Sequence, residues 1–132
     1  MKTKSFRDLL VWQRSMSVAL EIYSLTASFP RSELFGITNQ MRRAAVSVAS
    51  NIAEGHGRLT DKSFAVFLGQ ARGSLNELAT QLDLSFRLGF AERSHSLRLG
   101  SEIEEVARML NALLTTLRYS SSGNSQKQAQ SR

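Results

Sequence analysis

Apolar residues in this chain recur three and four positions apart along four successive stretches, and nowhere alternate with a period of two. That spacing lines one face of an α-helix, whereas a half-buried strand needs strict alternation. A sheet has no support, and the question becomes how four amphipathic helices bury their stripes. The first stretch runs from about Asp8 to Thr26, with Leu9, Trp12, Met16, Ala19/Leu20, Tyr23 and Thr26 as its stripe. Ser5 with Asp8 three residues on resembles a capping box, and Phe29-Pro30 ends the segment because proline lacks a donor and pushes its predecessor out of the α region. The second stretch begins after Ser32 as N-cap and carries Leu34, Ile37, Met41, Ala44/Ala45, Val48 and Ile52 until Gly55-His56-Gly57 stops it. The third starts near Thr60 and presents Phe64, Phe67/Leu68, Ala71, Leu75, Leu78, Leu82 and Phe86, with Gly89 as the residue past its end. The fourth follows Glu92 or Ser94, with Leu97, Ile103, Val106, Leu110, Leu113/Leu114 and Leu117.

Short connections between helices of this length favour antiparallel neighbours, so the expected fold is all-α, an up-down-up-down four-helix bundle. The 132 residues suit one domain with one core, expected over 1–119. Residues 120–132 have almost no apolar content, and burial there cannot offset the entropy of ordering. A disordered polar C-terminal tail is expected.

With no cysteine and one proline, a disulfide scaffold and a Cys-based zinc site are excluded. No apolar run approaches the ~18–20 residues of a membrane span, and the basic N-terminus leads into Phe6-Arg7-Asp8 rather than an apolar signal core. A cytoplasmic protein without membrane contact is expected. The net charge of +6 lies in the first 58 residues and the C-terminal tail, while residues 59–118 are balanced. Such asymmetry favours a polyanion partner, because neutralised phosphates release counterions.

Two helices carry features beyond a core stripe. On the third, Val66, Gly69, Gly73, Thr80 and Leu84 lie roughly opposite the Leu75/Leu82 stripe, and glycine in mid-helix costs about 1 kcal/mol relative to alanine unless close approach repays it. On the second, Gln40, Arg43, Ser47, Ser50, Asn51 and Glu54 make a polar row of short side chains that a merely solvated face seldom selects. Ser47, Ser50, Asn51, Glu54, Gly69 and Gly73 are therefore the candidate oligomer-interface residues. Catalytic constellations are missing: His56 and His95 have no metal-ligand spacing around them, Gly55-His56-Gly57-Arg58 is too short for a phosphate loop, and no serine has a positioned base. No enzymatic activity, cofactor, metal or small-molecule substrate is expected.

From Phe6 to Leu88 the chain resembles a known family. The resemblance rests on Phe6-Arg7-Asp8-Leu9-Leu10-Val11-Trp12-Gln13, Phe29-Pro30-Arg31-Ser32-Glu33-Leu34-Phe35-Gly36-Ile37, Gln40-Met41-Arg42-Arg43-Ala44-Ala45-Val46-Ser47-Val48, Ser50-Asn51-Ile52-Ala53-Glu54-Gly55 and Gly73-Ser74-Leu75-Asn76-Glu77-Leu78. These look like the four-helix proteins encoded in intervening sequences of large-subunit (23S) ribosomal RNA genes, a family that includes the accessory variability proteins of diversity-generating retroelements. One departure is Ala49, where the family often has proline. The resemblance implies a homopentamer of four-helix protomers without enzymatic activity, with RNA, other nucleic acid or a reverse transcriptase as possible partners. Taken with the charge, it makes Arg42, Arg43, Arg58, Lys62 and Arg72 the candidate nucleic-acid contacts, helped by Lys2, Lys4 and Arg7. Arg42 and Arg43 sit about 100° apart on their helix, so Arg43 is expected to pair with an acid inside the small-residue row and Arg42 to face the ligand.

Overall fold

Four α-helices form on the four apolar stretches, their ends shifted by local chemistry. A computed structural model of the chain describes residues 5–130, with side chains as far as Arg118. The helices are α1 Leu10–Thr26, α2 Ile37–His56, α3 Asp61–Arg87 and α4 Arg93–Gln130, and no strand occurs among the described residues. Ser5 does form a capping box with Asp8: Ser5 Oγ accepts from the Arg7 amide at 3.1 Å and Asp8 Oδ2 accepts from the Ser5 amide at 3.3 Å. It caps a 3-10 turn, Phe6–Asp8, however, and α1 itself begins at Leu10. Ser32 is not the N-cap of α2. Residues 31–33 make a second 3-10 turn, and α2 starts only after Gly36. At the other end Gly55 and His56 continue the helix instead of stopping it.

The third helix starts and stops as its sequence predicts. Thr60 Oγ1 accepts from the Ser63 amide at 3.1 Å. Gly89 takes φ +81°, and the Gly89 and Phe90 amides donate to the Phe86 and Ser85 carbonyls at 3.0 and 2.9 Å. That pair of bonds is a Schellman motif, which needs the left-handed residue glycine supplies without strain. Phe90 then packs on Phe29 with ring centroids 5.7 Å apart, joining the α3–α4 turn to the α1–α2 connection.

Each helix packs on two others: α2 on α1 and α3, α4 on α3 and α1. The backbones of diagonal pairs stay apart among the described residues. The result is a four-helix bundle around Ile22, Met41, Ile52, Leu68, Leu75, Leu78, Leu99 and Leu110. Two expected stripes need correcting. On α1 the core face is Val11, Ser15, Val18, Ile22 and Leu25, about 100° round from Trp12, Met16 and Tyr23, and Leu20 is 69% exposed. Apolar residues cover so much of α1 that periodicity cannot choose between its two faces. On α4, Leu97 is 65% exposed and Leu99 holds the core position. Leu34 and Phe86 are likewise exposed. Three buried hydroxyls satisfy themselves locally, Ser15, Thr26 and Ser85 each donating to the carbonyl four residues back at 2.7–2.8 Å, whereas the buried Thr38 Oγ1 has no partner among the described residues.

The expected tail, 120–132, falls where side chains are outside those described. Its backbone is helical as far as Gln130, and residues 131–132 lie outside the described part altogether. The helix thus continues past Leu117, the last buried position on its stripe among the described side chains.

One acidic site sets a pH dependence. Burial pushes the Glu102 carboxyl above its ordinary value, and the neighbouring Glu21 carboxylate on α1 pushes it the same way. Arg98 opposes the rise and Glu105 adds to it. Because the folded state binds this proton more tightly than the unfolded state, the site's contribution to stability is fully present below the ordinary carboxylate pKa. It is lost as pH rises through the raised value. Glu102→Gln should therefore be more stable than the parent protein at pH 7, with the gap closing towards pH 4, in urea unfolding at both pH values.

Candidate nucleic-acid interface

Arg42 and Arg43 exchange their expected roles. Arg42 is half-buried: its Nε donates to Thr26 Oγ1 at 2.9 Å and its guanidinium lies 4.7 Å from the centre of the Tyr23 ring, so it braces α2 against α1. Arg43 is exposed and has no ion-pair partner among the described residues. The 100° between them does not separate their ligands either. Both line one shallow groove of ≈ 470 Å³ with Tyr23, Asn39, Val46 and Ser47.

Lys62 and Arg72 come together elsewhere. They line a groove of ≈ 430 Å³ between α3 and α4, joined by Arg118 from α4. Among the described residues Asp61 is the single carboxylate on its wall, and Val66, Gly69, Leu114 and Leu117 form the floor and rim. Arg72 is oriented by Asn111 across the groove, its Nη1 donating to Oδ1 at 3.1 Å. Three cations against one acid leave a positive channel flanked by apolar surface. Arg118 was missed in the sequence, although its place beside the stripe residues Leu114 and Leu117 puts it on the side of α4 that meets α3. Arg58 belongs to neither groove. It pairs with Glu54 at 2.8 Å and lies 4.5 Å over the Phe67 ring, both on the exposed side of the α2–α3 turn. Arg7 stacks on Phe6, and Lys2 and Lys4 lie outside the described residues.

The polar row of α2 divides in the same way. Ser47 and Asn51 are spent within the protomer: Ser47 Oγ shares a hydrogen bond with Ser74 Oγ of α3 at 2.8 Å, and Asn51 Nδ2 donates to Ser47 Oγ at 3.0 Å. Neither Arg43 nor Glu54 joins that network. Ser50 is exposed on the α1 side, and Gly69 and Gly73 are exposed on α3, where an added Cβ would meet nothing within 4 Å. Ser47→Ala should cost about 1 kcal/mol, because it leaves the half-buried Ser74 hydroxyl without its partner, while Asn51 Nδ2 keeps its bond to the Ser47 carbonyl at 2.9 Å; thermal unfolding of the variant measures it.

The described residues contain no cluster of three His, Cys, Asp or Glu able to hold a metal, and no helix among them is long and apolar enough to cross a membrane. His56, the last residue of α2 rather than a loop residue, packs edge-on to the Phe64 ring.

The model of one family, described as 23S rRNA-intervening sequence protein, matches residues 7–112, which include three of the four helices and half of α4. The chain belongs to the 23S rRNA-intervening sequence protein family. Among solved structures it is similar to a protein of unknown function from the S23 ribosomal protein family of Bacteroides thetaiotaomicron, at 21% identity with a TM-score of 0.72. The likeness covers 80% of this chain and 98% of that one, and it is a likeness of fold. No curated protein matches the chain. Arg42, Arg43, Arg58, Lys62 and Arg72 all lie within the span shared with the 23S rRNA-intervening sequence proteins, and Arg118 lies beyond it.

Proposed function

We propose that the protein is a non-catalytic, self-assembling adaptor, a cytoplasmic homopentamer that binds RNA or other nucleic acid through the α3–α4 groove. The observation that carries this reading is the meeting of Lys62, Arg72 and Arg118 around one groove with Asp61 as its only acid among the described residues. Three cations at one place act as a phosphate-binding surface, and sequence-independent affinity of this kind comes from counterion release. The family's name, which ties its members to genes for 23S rRNA, agrees with an RNA ligand. Assembly is supported by helix faces whose apolar or glycine surface the protomer leaves uncovered. A mobility-shift assay in moderate salt with mixed-sequence RNA and DNA should show a retarded complex at micromolar protein. No shift with either overturns the reading.

A second reading is a scaffold that docks a protein such as a reverse transcriptase, as in the retroelement proteins the sequence resembles. Phe35, 91% exposed, and fully exposed Leu59 favour it, since they place apolar side chains at the two ends of α2 with nothing in the protomer to cover them. A complex that survives nuclease treatment in a pull-down would support docking over direct nucleic-acid binding.

A further inference from the structure

Nucleic acid can enter the α3–α4 groove in two forms, as the charged ridge of a duplex or as a strand with its bases turned out. The cations of the groove are spread along its length. Lys62 and Arg72 stand ten residues apart on α3, about 15 Å at ~1.5 Å per residue. On the opposite wall Arg118 lies seven residues, about 10 Å, from Asn111, the residue that Arg72 reaches across the groove. Because α4 runs back along α3, Arg118 falls between Arg72 and Lys62 on the groove axis.

Between these cations the groove is apolar. Leu114 and Leu117 are buried at its bottom, Ala65 is half-buried beside them, and exposed Val66 and Gly69 form the α3 wall. A phosphate ridge pressed into such a floor would give up water against methyl groups, which is costly wherever no hydrogen bond replaces the one lost. In a duplex the base faces are stacked inside, so only that ridge can enter. An unpaired strand divides as the groove does, phosphates to the rim cations and base faces to the aliphatic floor. Gly69 agrees with the second form. Glycine in mid-helix is unfavourable, and an added Cβ at Gly69 would meet nothing within 4 Å, so the protomer itself gains nothing from its smallness. A base lying close over the backbone there does gain from it.

We infer that the α3–α4 groove selects an unpaired strand over a duplex, holding base faces against Val66, Gly69 and Leu114 while Lys62, Arg72 and Arg118 take its phosphates. The inference rests on the nucleic-acid reading of the proposed function and specifies the form of the ligand. One protomer holds no more than about four nucleotides, since even a stacked strand advances ~3.4 Å per phosphate along the ~15 Å from Lys62 to Arg72. Charge alone gives the opposite order of affinity. A duplex is the denser polyanion and releases about 0.9 counterion per neutralised phosphate, against about 0.7 for a single strand. Preference for the unpaired strand therefore reports the floor of the groove and not its rim.

Fluorescence anisotropy at about 100 mM salt tests this with one labelled, mixed-sequence RNA of about twelve nucleotides, used alone and annealed to its complement. The unaltered protein should bind the lone strand at least about tenfold more tightly than the duplex. Gly69→Leu fills the α3 wall from an exposed position with open space around it, so the variant should keep its helicity by circular dichroism. Its affinity for the lone strand should fall about tenfold, while its affinity for the duplex stays within about twofold of the parent's. A duplex bound as tightly as the lone strand by the unaltered protein overturns the inference and leaves the nucleic-acid reading standing. So does a Gly69→Leu protein that binds the lone strand like the parent or weakens on both forms alike. Binding of neither form overturns both.

Discussion

Leu78→Ala is expected to lower the stability of the bundle by about 2–5 kcal/mol. Leu78 is fully buried on the face of α3 that looks into the core, together with Leu75 and Leu82. Truncation removes transfer free energy and leaves a cavity that neighbours on long, mutually braced helices close only in part. The matching control is Leu97→Ala. By sequence period Leu97 belongs to the stripe of α4, but it is mostly exposed, and its removal should change stability by no more than about 0.5 kcal/mol. Urea unfolding of both variants at one protein concentration gives the comparison, the concentration being held because assembly adds to apparent stability. Equal losses at the two positions would mean that the helix faces are wrongly assigned.

Gly55→Ala should be damaging for the opposite reason. In an open helix the change would gain about 1 kcal/mol of helix propensity. Here the new Cβ would stand 2.8 Å from both Phe64 Cδ1 and Phe67 Cβ, and 3.2 Å from the Phe64 carbonyl oxygen. The Phe64 ring can turn away, but Phe67 Cβ and the carbonyl move only with the backbone of α3. Overpacking of this kind costs about 1–3 kcal/mol, enough to outweigh the propensity gain. A net loss is therefore expected, and Gly55→Val should lose more. Gly73→Ala is the internal contrast: nothing stands within 4 Å of its Cβ, so its protomer should gain stability. Chemical denaturation of the pair should give shifts of opposite sign, and a stabilised Gly55→Ala would contradict the close α2–α3 approach.

How much of this was legible beforehand depended on which physical signal each residue carries. The number of helices, the Thr60 start, the Gly89 stop and, apart from exposed Leu34 and Phe86, the stripes of α2 and α3 follow from spacing and capping chemistry alone. In the sequence, Gly55 before His-Gly looks like a terminus. Its use is steric, and no local signal tells a helix-ending glycine from one that makes room for a phenylalanine of the next helix. On α1 the failure came from abundance, since two apolar faces compete and only the packing partners decide between them. The candidate cations were individually visible, but their grouping was not. Arg42 and Arg43 share a groove because the residues between them on the helix surface, Asn39 and Val46, are small enough to leave one, and Arg118 joins Lys62 and Arg72 from a helix some fifty residues away in sequence. In the sequence the glycines of α3 show only as a cost in helix propensity. That they face open space in the protomer is knowledge only the fold supplies.

The central claim is that nucleic acid binds at Lys62, Arg72 and Arg118, and the salt dependence of binding addresses it most directly. If each of the three neutralises about one phosphate of a single strand, their share of the slope of log K against log salt is roughly −2 per engaged protomer. Fluorescence anisotropy with a labelled RNA, from 50 to 200 mM salt, should show the parent losing affinity at least about 20-fold from these contacts. A variant with Lys62→Ala, Arg72→Ala and Arg118→Ala should bind more weakly at every salt concentration, with a slope shallower by about 2. An unchanged affinity and an unchanged slope in that variant, with its mass and helicity intact, would place the ligand elsewhere and contradict the account.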